Sequence, residues 1–501
     1  VNEARRPAEK AERIAVLLLC LLAAVHVFVF AAAFPFFNVV DEQDHLDLVV
    51  RYAHGQIPRS LVPPCENALP YIAIFGTTEY LWTPESQPGG HFATPPWKLP
   101  MAEVQAKLLG REITWKNTVK NHEASQPPLY YTCAGLWWRF WEAVGFVDGP
   151  LLYLARFFNV LVIVAVVWLG WVAARNIFPD SLFVRMAVPA LAAFLPQTMF
   201  YAINNDIFSP LTFGLAFVRL LKFWDAENPS PRAAVALGLA LAATFLTKTS
   251  NLPLLAAAAL LLALKIVSLA RNGNLRAATF PLLVLFFTAA LPMAAWMAWC
   301  KINFGDFTGS NLKIQFLGWT HKPFAEWRHH PIFSADGFWF FLKQNLATFW
   351  QGEMLWHRQP LALPGVDSAY AVLSLGALAL TLAAWLRRPP AFSAPQRAAI
   401  GFSFLCVAAM FAFFALLSVK YDFQDCFYPS RAQPFFVSGR LMLGMLVPFL
   451  ILFACGLDRL MNRFQNSTKF FVLIALLGFM LASEITIDSP IFPNEYNWFH
   501  L

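Results

Sequence analysis

Four short polar stretches in an otherwise hydrophobic chain carry residue types that could do chemistry. In DEQDHLDL, residues 41–48, helical spacing puts Asp41, Asp44, His45 and Leu48 on one face and leaves Leu46, Val49, Val50 and Ala53 as an apolar stripe. A carboxylate held there can take a proton from an attacking hydroxyl, while a second carboxylate or the histidine orients it or binds a divalent cation. Acids also favour a helix N-terminus for purely electrostatic reasons, so this stretch alone leaves both accounts open. In HEASQPPLYY, 122–131, Pro127 and Pro128 fix the start of a helix, with His122, Glu123 and Gln126 at its polar edge and Tyr130 and Tyr131 at headgroup level. Taken alone, a membrane-interface anchor is the simpler account of it. In PQTMFYAINNDIFSP, 196–210, Asn204, Asn205 and Asp206 are a polar break between apolar runs, either a tight turn or a paired charge beside hydrocarbon. In TKTSN, 247–251, Lys248 suits a phosphate, although a lysine there can also snorkel to the interface.

The elements that must position these residues are membrane helices. Of 501 residues, 58% are hydrophobic and 13% charged, against roughly 25% charged in a soluble domain. Apolar runs close to the ~20 residues that cross a bilayer recur near 14–34, 152–174, 184–203, 207–223, 233–247, 251–270, 277–299, 369–386, 398–419, 440–457 and 469–486. The first is long and lacks a small-residue cleavage site, so it reads as a retained span. The pattern predicts an all-α integral membrane protein of about eleven transmembrane helices, a single polytopic membrane domain over 1–501. The net charge of +7 comes without a basic stripe and interleaved aromatics, so no nucleic-acid partner is expected. Seven cysteines show no metal-ligand spacing, and no disulfide is expected.

Basic residues orient the spans. Arg5, Arg6, Lys10 and Arg13 place the N-terminus in the cytoplasm, and alternation then puts Arg175, Arg185, Arg232, Arg271, Arg276, Arg387, Arg388, Arg397, Arg459, Arg463 and Lys469 on the same side. This works only if the apolar segment 128–146 does not cross. It is expected to be an interfacial or re-entrant helix, rich in Trp and Tyr. The non-cytoplasmic side then owns a first loop, 35–151, carrying interfacial helices, a second large loop, 300–368, and a third at 420–439. The four polar stretches gather at that face. Acids and a cation converging at the outer leaflet suggest the handling of a phosphorylated lipid.

With those residues placed, the chain resembles the glycosyltransferase C superfamily, which includes lipid A aminoarabinose transferases and protein O-mannosyltransferases. The resemblance rests on Asp41 and Glu42 after the first span, a large first outer loop with PPLYY, Arg156 in LARFFN, Asp206 at the next outer turn, and Thr247 and Lys248 in a short outer turn. DEQDH, FWQGEMLW at 349–356 and SGRLMLGMLVP at 438–448 look closer to a bacterial branch of membrane glycosyltransferases. A WWDYG-type motif is missing, which argues against protein N-glycosylation.

The resemblance implies a multi-pass enzyme of the bacterial inner membrane that moves a sugar, with inversion, from a polyprenyl-phosphate donor to an envelope glycan, lipid or protein acceptor outside the cytoplasm. Asp41 would serve as base with Glu42 beside it. His45, His122, Gln126, Tyr130 and Asp206 would contact substrate, and Lys248, Lys301, Arg431 and Arg440 the phosphate. A divalent metal, magnesium or manganese, on Asp41, Glu42 and Asp206 is compatible with this chemistry but not required, because Lys and Arg can neutralise a monophosphate. A lipid-linked glycan transporter would share a cationic, aromatic cavity, but its charges belong near the midplane. A polymerase or ligase using polyprenyl-diphosphate glycans would release a diphosphate instead.

Overall fold

The computed structural model describes residues 2–77, 79–426 and 429–501, with side chains from residue 9 onward except at the excluded positions. The side chains of Arg5 and Arg6 therefore lie outside the described residues. Among the described residues, nine helices are long and apolar enough to cross a membrane: Glu9–Ala33, Asp148–Ile177, Asn205–Asp225, Thr249–Arg271, Leu275–Phe304, Pro364–Leu386, Ala394–Lys420, Gly439–Leu460 and Asn466–Asp488. Two shorter apolar helices, Leu182–Ala193 and Pro231–Thr247, complete a set that matches the eleven expected spans one for one. The protein is an all-α, multi-pass membrane protein, with a main apolar core drawn from Val16 to Ile491 and a smaller one around Phe245, Trp296, Cys300 and Phe304. Among the described residues the strands form two short antiparallel pairs, Thr320–His321 with Tyr421–Asp422 and Leu355–Trp356 with Gln359–Pro360.

One span differs from expectation. The run 184–203 stops being α-helical at Ala193, because Pro196 disfavours helix at Leu195 and cannot donate to the ladder. The freed backbone is satisfied from elsewhere: Asn159 Nδ2 donates to Phe200 O at 3.0 Å and to Ala202 O at 2.7 Å. Non-helical chain at membrane depth persists only with such internal partners.

The segment 128–146 forms the 16-residue helix Leu129–Val144, which starts directly after Pro128. Tyr130, Tyr131, Ala134 and Trp138 are buried, while Leu136, Phe140 and Val144, four residues apart, face outward. The helix packs on Glu42–Ala53, the helix of the first polar stretch. Gly135 permits the approach, since a Cβ there would sit 2.8 Å from Ala53 N.

Basic residues from separate spans meet at the start of the first span. Arg185 pairs with Glu12 at 2.8 Å and Arg175 with Glu9 at 3.2 Å. The polar stretches lie beyond its other end, a helix length of roughly 37 Å away at 1.5 Å per residue.

Candidate functional site

Helix Glu42–Ala53 starts at Asp41, whose φ of 61° puts it in the left-handed region that Asp tolerates better than most residues. Glu42, next in sequence, turns inward and is fully buried. Arg156 grips it with two parallel hydrogen bonds, Nε to Oε1 at 2.8 Å and Nη2 to Oε2 at 2.7 Å. The amides of Phe37 and Ile203 each donate to Glu42 at 2.9 Å, and Arg156 Nη1 donates to the carbonyls of Ala31 and Phe34. Every oxygen of Glu42 is thus spent holding the first span, the second span and residue 203 together. The placement next to Asp41 expected from sequence does not occur, because consecutive residues at a helix start project in different directions.

His122 reaches Asp41 through the loop that precedes the PPLYY helix. Asn121 pins that loop, donating from Nδ2 to Asp44 O at 2.9 Å and Asp47 Oδ2 at 2.8 Å, while its Oδ1 accepts from Glu123 N. His122 then stands between two carboxylates, Nδ1 to Asp44 Oδ2 at 2.9 Å and Nε2 to Asp41 Oδ1 at 3.3 Å, with Glu123 Oε1 at 3.4 Å. Phe316 lies parallel to the imidazole, with centroids 5.8 Å apart. From the same short helix, Ser310–Phe316, Lys313 pairs with Glu123. Glu123 accepts from Gln126, and Gln126 accepts from Asn205 Nδ2 at 3.1 Å.

Asn205 leads to the second half of the cluster. Asp206 is held by Asn204, whose Oδ1 accepts the Asp206 amide at 2.8 Å. Lys248 follows helix Pro231–Thr247 and pairs with Asp206 Oδ1. Asn251 ties that turn to Ser209 at 3.0 Å and Thr244 O at 3.1 Å, so the lysine faces the acid. Arg440 joins the halves: its guanidinium lies 2.8 Å from Asp206 Oδ2, 3.5 Å from Asp41 Oδ2 and 3.4 Å from Glu353 Oε2. Five acids, Asp41, Asp44, Glu123, Asp206 and Glu353, interleave with His122, Lys248, Lys313 and Arg440.

The electrostatics follow from this pairing. Burial would raise Asp41, but the hydrogen bond and charge of His122, with Lys313 and Arg440, hold it well below the usual carboxylate range. Glu123 is likewise held far down by Lys313 against the effect of burial. Burial alone would lower His122, yet Asp41 and Asp44 lift it to about 10, so it is a cation at neutral pH. Asp44 is pushed up to about 6 by burial, which His122 only partly offsets. Burial also raises Glu353 and lowers Lys248, against Arg440 and Asp206 respectively. His45 is lowered to about 4 by burial and is neutral, with Nδ1 2.7 Å from the Tyr131 hydroxyl.

Of the residues expected from sequence, Asp41, His122, Gln126, Asp206, Lys248 and Arg440 are brought together, and His45 lies beneath them. Tyr130 is buried in an aromatic nest with Tyr131, Phe158 and Phe208. Lys301 is exposed and donates to Gly305 O at 2.8 Å, capping its own helix. Arg431 is exposed and pairs with Asp422 at 3.3 Å. Neither joins the cluster, because each finds a partner within its own loop. Lys313 and Glu353 were missed; Glu353 stands in FWQGEMLW, a charge inside an aromatic run, whereas nothing around Lys313 distinguishes it from a solvated lysine.

The metal set Asp41, Glu42 and Asp206 is not assembled, since Glu42 is locked to Arg156 and Asp206 to Lys248 and Arg440. Asp41, His122 and Glu123 do offer ligand atoms within 4.8 Å of one another. Both His122 nitrogens already face carboxylates and Lys313 sits on Glu123, so the cationic charge a divalent ion would bring is supplied by a proton and an ammonium group. An ion would fit there only by displacing both.

No family model and no curated protein matches the chain. Among solved structures it is similar to the crystal structure of ArnT from Cupriavidus metallidurans bound to undecaprenyl phosphate. The two are 13% identical, with a TM-score of 0.46 over 96% of this chain and 74% of that one.

Proposed function

We propose that the protein is a membrane glycosyltransferase that moves a sugar from a polyprenyl-phosphate donor to a glycan, lipid or protein acceptor at the non-cytoplasmic face of a bacterial inner membrane. The observation that carries this reading is Arg440, which spans from the partly exposed Asp41 to Asp206, itself paired with Lys248. It sets a carboxylate able to take a proton beside two cations able to receive a phosphate.

The acceptor hydroxyl oxygen attacks the anomeric carbon of the donor as the bond from that carbon to the phosphate oxygen breaks. The hydroxyl proton goes to Asp41 and the electron pair to the departing lipid phosphate, whose growing charge Lys248 and Arg440 stabilise. One displacement inverts the anomeric centre. In the resting arrangement Asp41 is a weak base because His122, Lys313 and Arg440 hold its proton affinity down. A phosphate that draws Arg440 toward itself weakens that hold, so donor binding raises the basicity of Asp41 when an acceptor can use it. His122, as a cation on Asp41 and Asp44, keeps the carboxylate aimed. Glu42 serves as the lock that holds Asp41 in register, and a metal is not required.

The test is turnover of a labelled polyprenyl-phosphate sugar by purified protein in detergent, where transport has no meaning. Release of free polyprenyl monophosphate by the wild type, and none by folded Asp41→Asn, is the expected result. Wild-type turnover by Asp41→Asn removes the assignment of the base, and release of a diphosphate points to a polymerase or ligase.

A further inference from the structure

We propose that His26, Glu484 and Tyr201 are positioning residues that, from inside the membrane, fix Asp206 and thereby the alignment of Lys248 and Arg440. The catalytic consequence rests on the function proposed above; the mechanical one does not.

His26 lies seven residues before the end of the first span at Ala33, about 10 Å down the helix. Its Nδ1 is 3.2 Å from Ala193 O, a pure acceptor, so Nδ1 carries a hydrogen. Its Nε2 is 2.7 Å from Glu484 Oε2 on the last span and 3.2 Å from the Tyr201 hydroxyl, which in turn donates to Glu484 Oε1. The imidazole is 8% exposed and the carboxylate 1%. Ionisable groups at such depth are costly and mark function. Joining the first and last spans would need only the His26 to Glu484 contact. Tyr201 belongs to neither helix: it sits in the break between Leu182–Ala193 and Asn205–Asp225, stacked on Phe30 at 5.0 Å and packed on Phe34 at 5.2 Å.

From Tyr201 the chain runs to Asp206 without forming an α-helix, and its polar groups are held at close intervals. Ala202 O accepts from Asn159, Ile203 N donates to Glu42, and the Asp206 amide donates to Asn204. Five residues so restrained transmit a displacement at one end to the other instead of absorbing it. A misplacement of about 1 Å in a catalytic array can cost on the order of 10²-fold in rate.

The experiment compares Tyr201→Phe with wild type by two measurements. Hydrogen exchange of the peptide covering 200–208 is expected to quicken, with the rest of the chain unchanged. Thr381→Val, which removes a buried hydroxyl bonded to Leu452 O in another part of the bundle, should leave 200–208 protected. In turnover, Tyr201→Phe should lower kcat by about 10- to 100-fold while donor KM moves less than twofold, because Lys248 and Arg440 both remain in the site and only their alignment changes. In an Asp206→Asn background the same change should cost nothing further, as required if it acts through Asp206. Unaltered exchange at 200–208, acceleration spread evenly over the chain, or an additive loss in the double variant each overturns the proposal. If Tyr201→Phe does not fold, the isosteric Glu484→Gln carries the same expectations. Should the wild type show no transferase activity, the exchange result still decides the positioning role, and only the proposed function fails.

Discussion

Replacing Lys248 by methionine separates a phosphate site from a membrane anchor. The ammonium group is buried and paired with Asp206, which is also held by Arg440 at 2.8 Å. Leaving a buried charge wholly without a partner costs about 3–5 kcal/mol. Here Asp206 keeps Arg440, so the loss should be nearer the ~1–3 kcal/mol of one unsatisfied buried polar group, within reach of a folded variant. Turnover should respond more strongly. Removing one preorganised donor to a developing oxyanion costs roughly 10²–10³ in kcat, about 2.7–4 kcal/mol in the transition state. Purified wild type, Lys248→Met and Lys248→Arg would be compared by release of polyprenyl phosphate from a labelled donor, with thermal unfolding followed in parallel. Lys248→Met should fall by that factor with a modest drop in Tm, and Lys248→Arg should keep part of the activity. Lys301→Met, which alters an exposed lysine outside the cluster, should match wild type. Near wild-type kcat in folded Lys248→Met refutes the argument, and so does an equal loss in Lys301→Met.

Glu42→Gln should act on stability before chemistry: Arg156 would stay buried without a counter-charge, at a cost of about 3–5 kcal/mol, seen as a fall in Tm larger than that of Asp41→Asn. Equal Tm values for the two variants would return Glu42 to the reacting group. His122 is raised from about 6.5 unfolded to about 10 folded, so the folded state binds its proton more tightly. That stabilisation is complete below pH 6.5 and is lost as pH rises through 10; Tm should fall over that interval in wild type and stay flatter in His122→Gln. Single cysteines from Lys322→Cys and Arg328→Cys, in a background without native cysteines, should react with an impermeant thiol reagent from outside the cell, and Arg388→Cys should not. The reverse pattern inverts the topology.

The spans were legible because burial in lipid needs a run of apolar residues and nothing subtler, and the start of the short helix at 129–144 was legible because Pro127 and Pro128 precede it. Asp41, Asp206 and Lys248 could be found because each is a charge at the mouth of an apolar run, where chance rarely puts one. Glu42 shows where that logic stops. Sequence places it beside Asp41, yet its environment is decided by which way one residue turns at a helix start, and the partner that claims it, Arg156, is 114 positions away. Lys313 and Glu353 come from segments whose local pattern is ordinary loop, and only tertiary approach gives them a role. Lys301 and Arg431 show the opposite limit: each is a cation in a segment expected near the site, yet each is held by a partner within its own segment, Gly305 O and Asp422.

The charges of the cluster also explain why so many had to be gathered. Two cations alone beside a membrane would repel each other and would be costly to bury. Asp206 between Lys248 and Arg440 removes that repulsion and holds both cations, so under the proposed function a phosphate arriving there would meet donors that need no reorganisation. The same arrangement would limit affinity for the proposed donor, since its phosphate would share these cations with a carboxylate already bonded to them. Release of the proposed lipid-phosphate product would benefit from the same competition, because Asp206 could reclaim both groups as it leaves. Asp206→Asn should therefore not simply abolish function. It should weaken the alignment of Lys248 and Arg440 while removing their competitor, lowering kcat and lowering the KM for donor together, and a variant in which KM rises instead would show that Asp206 contacts the sugar and not the cations' geometry.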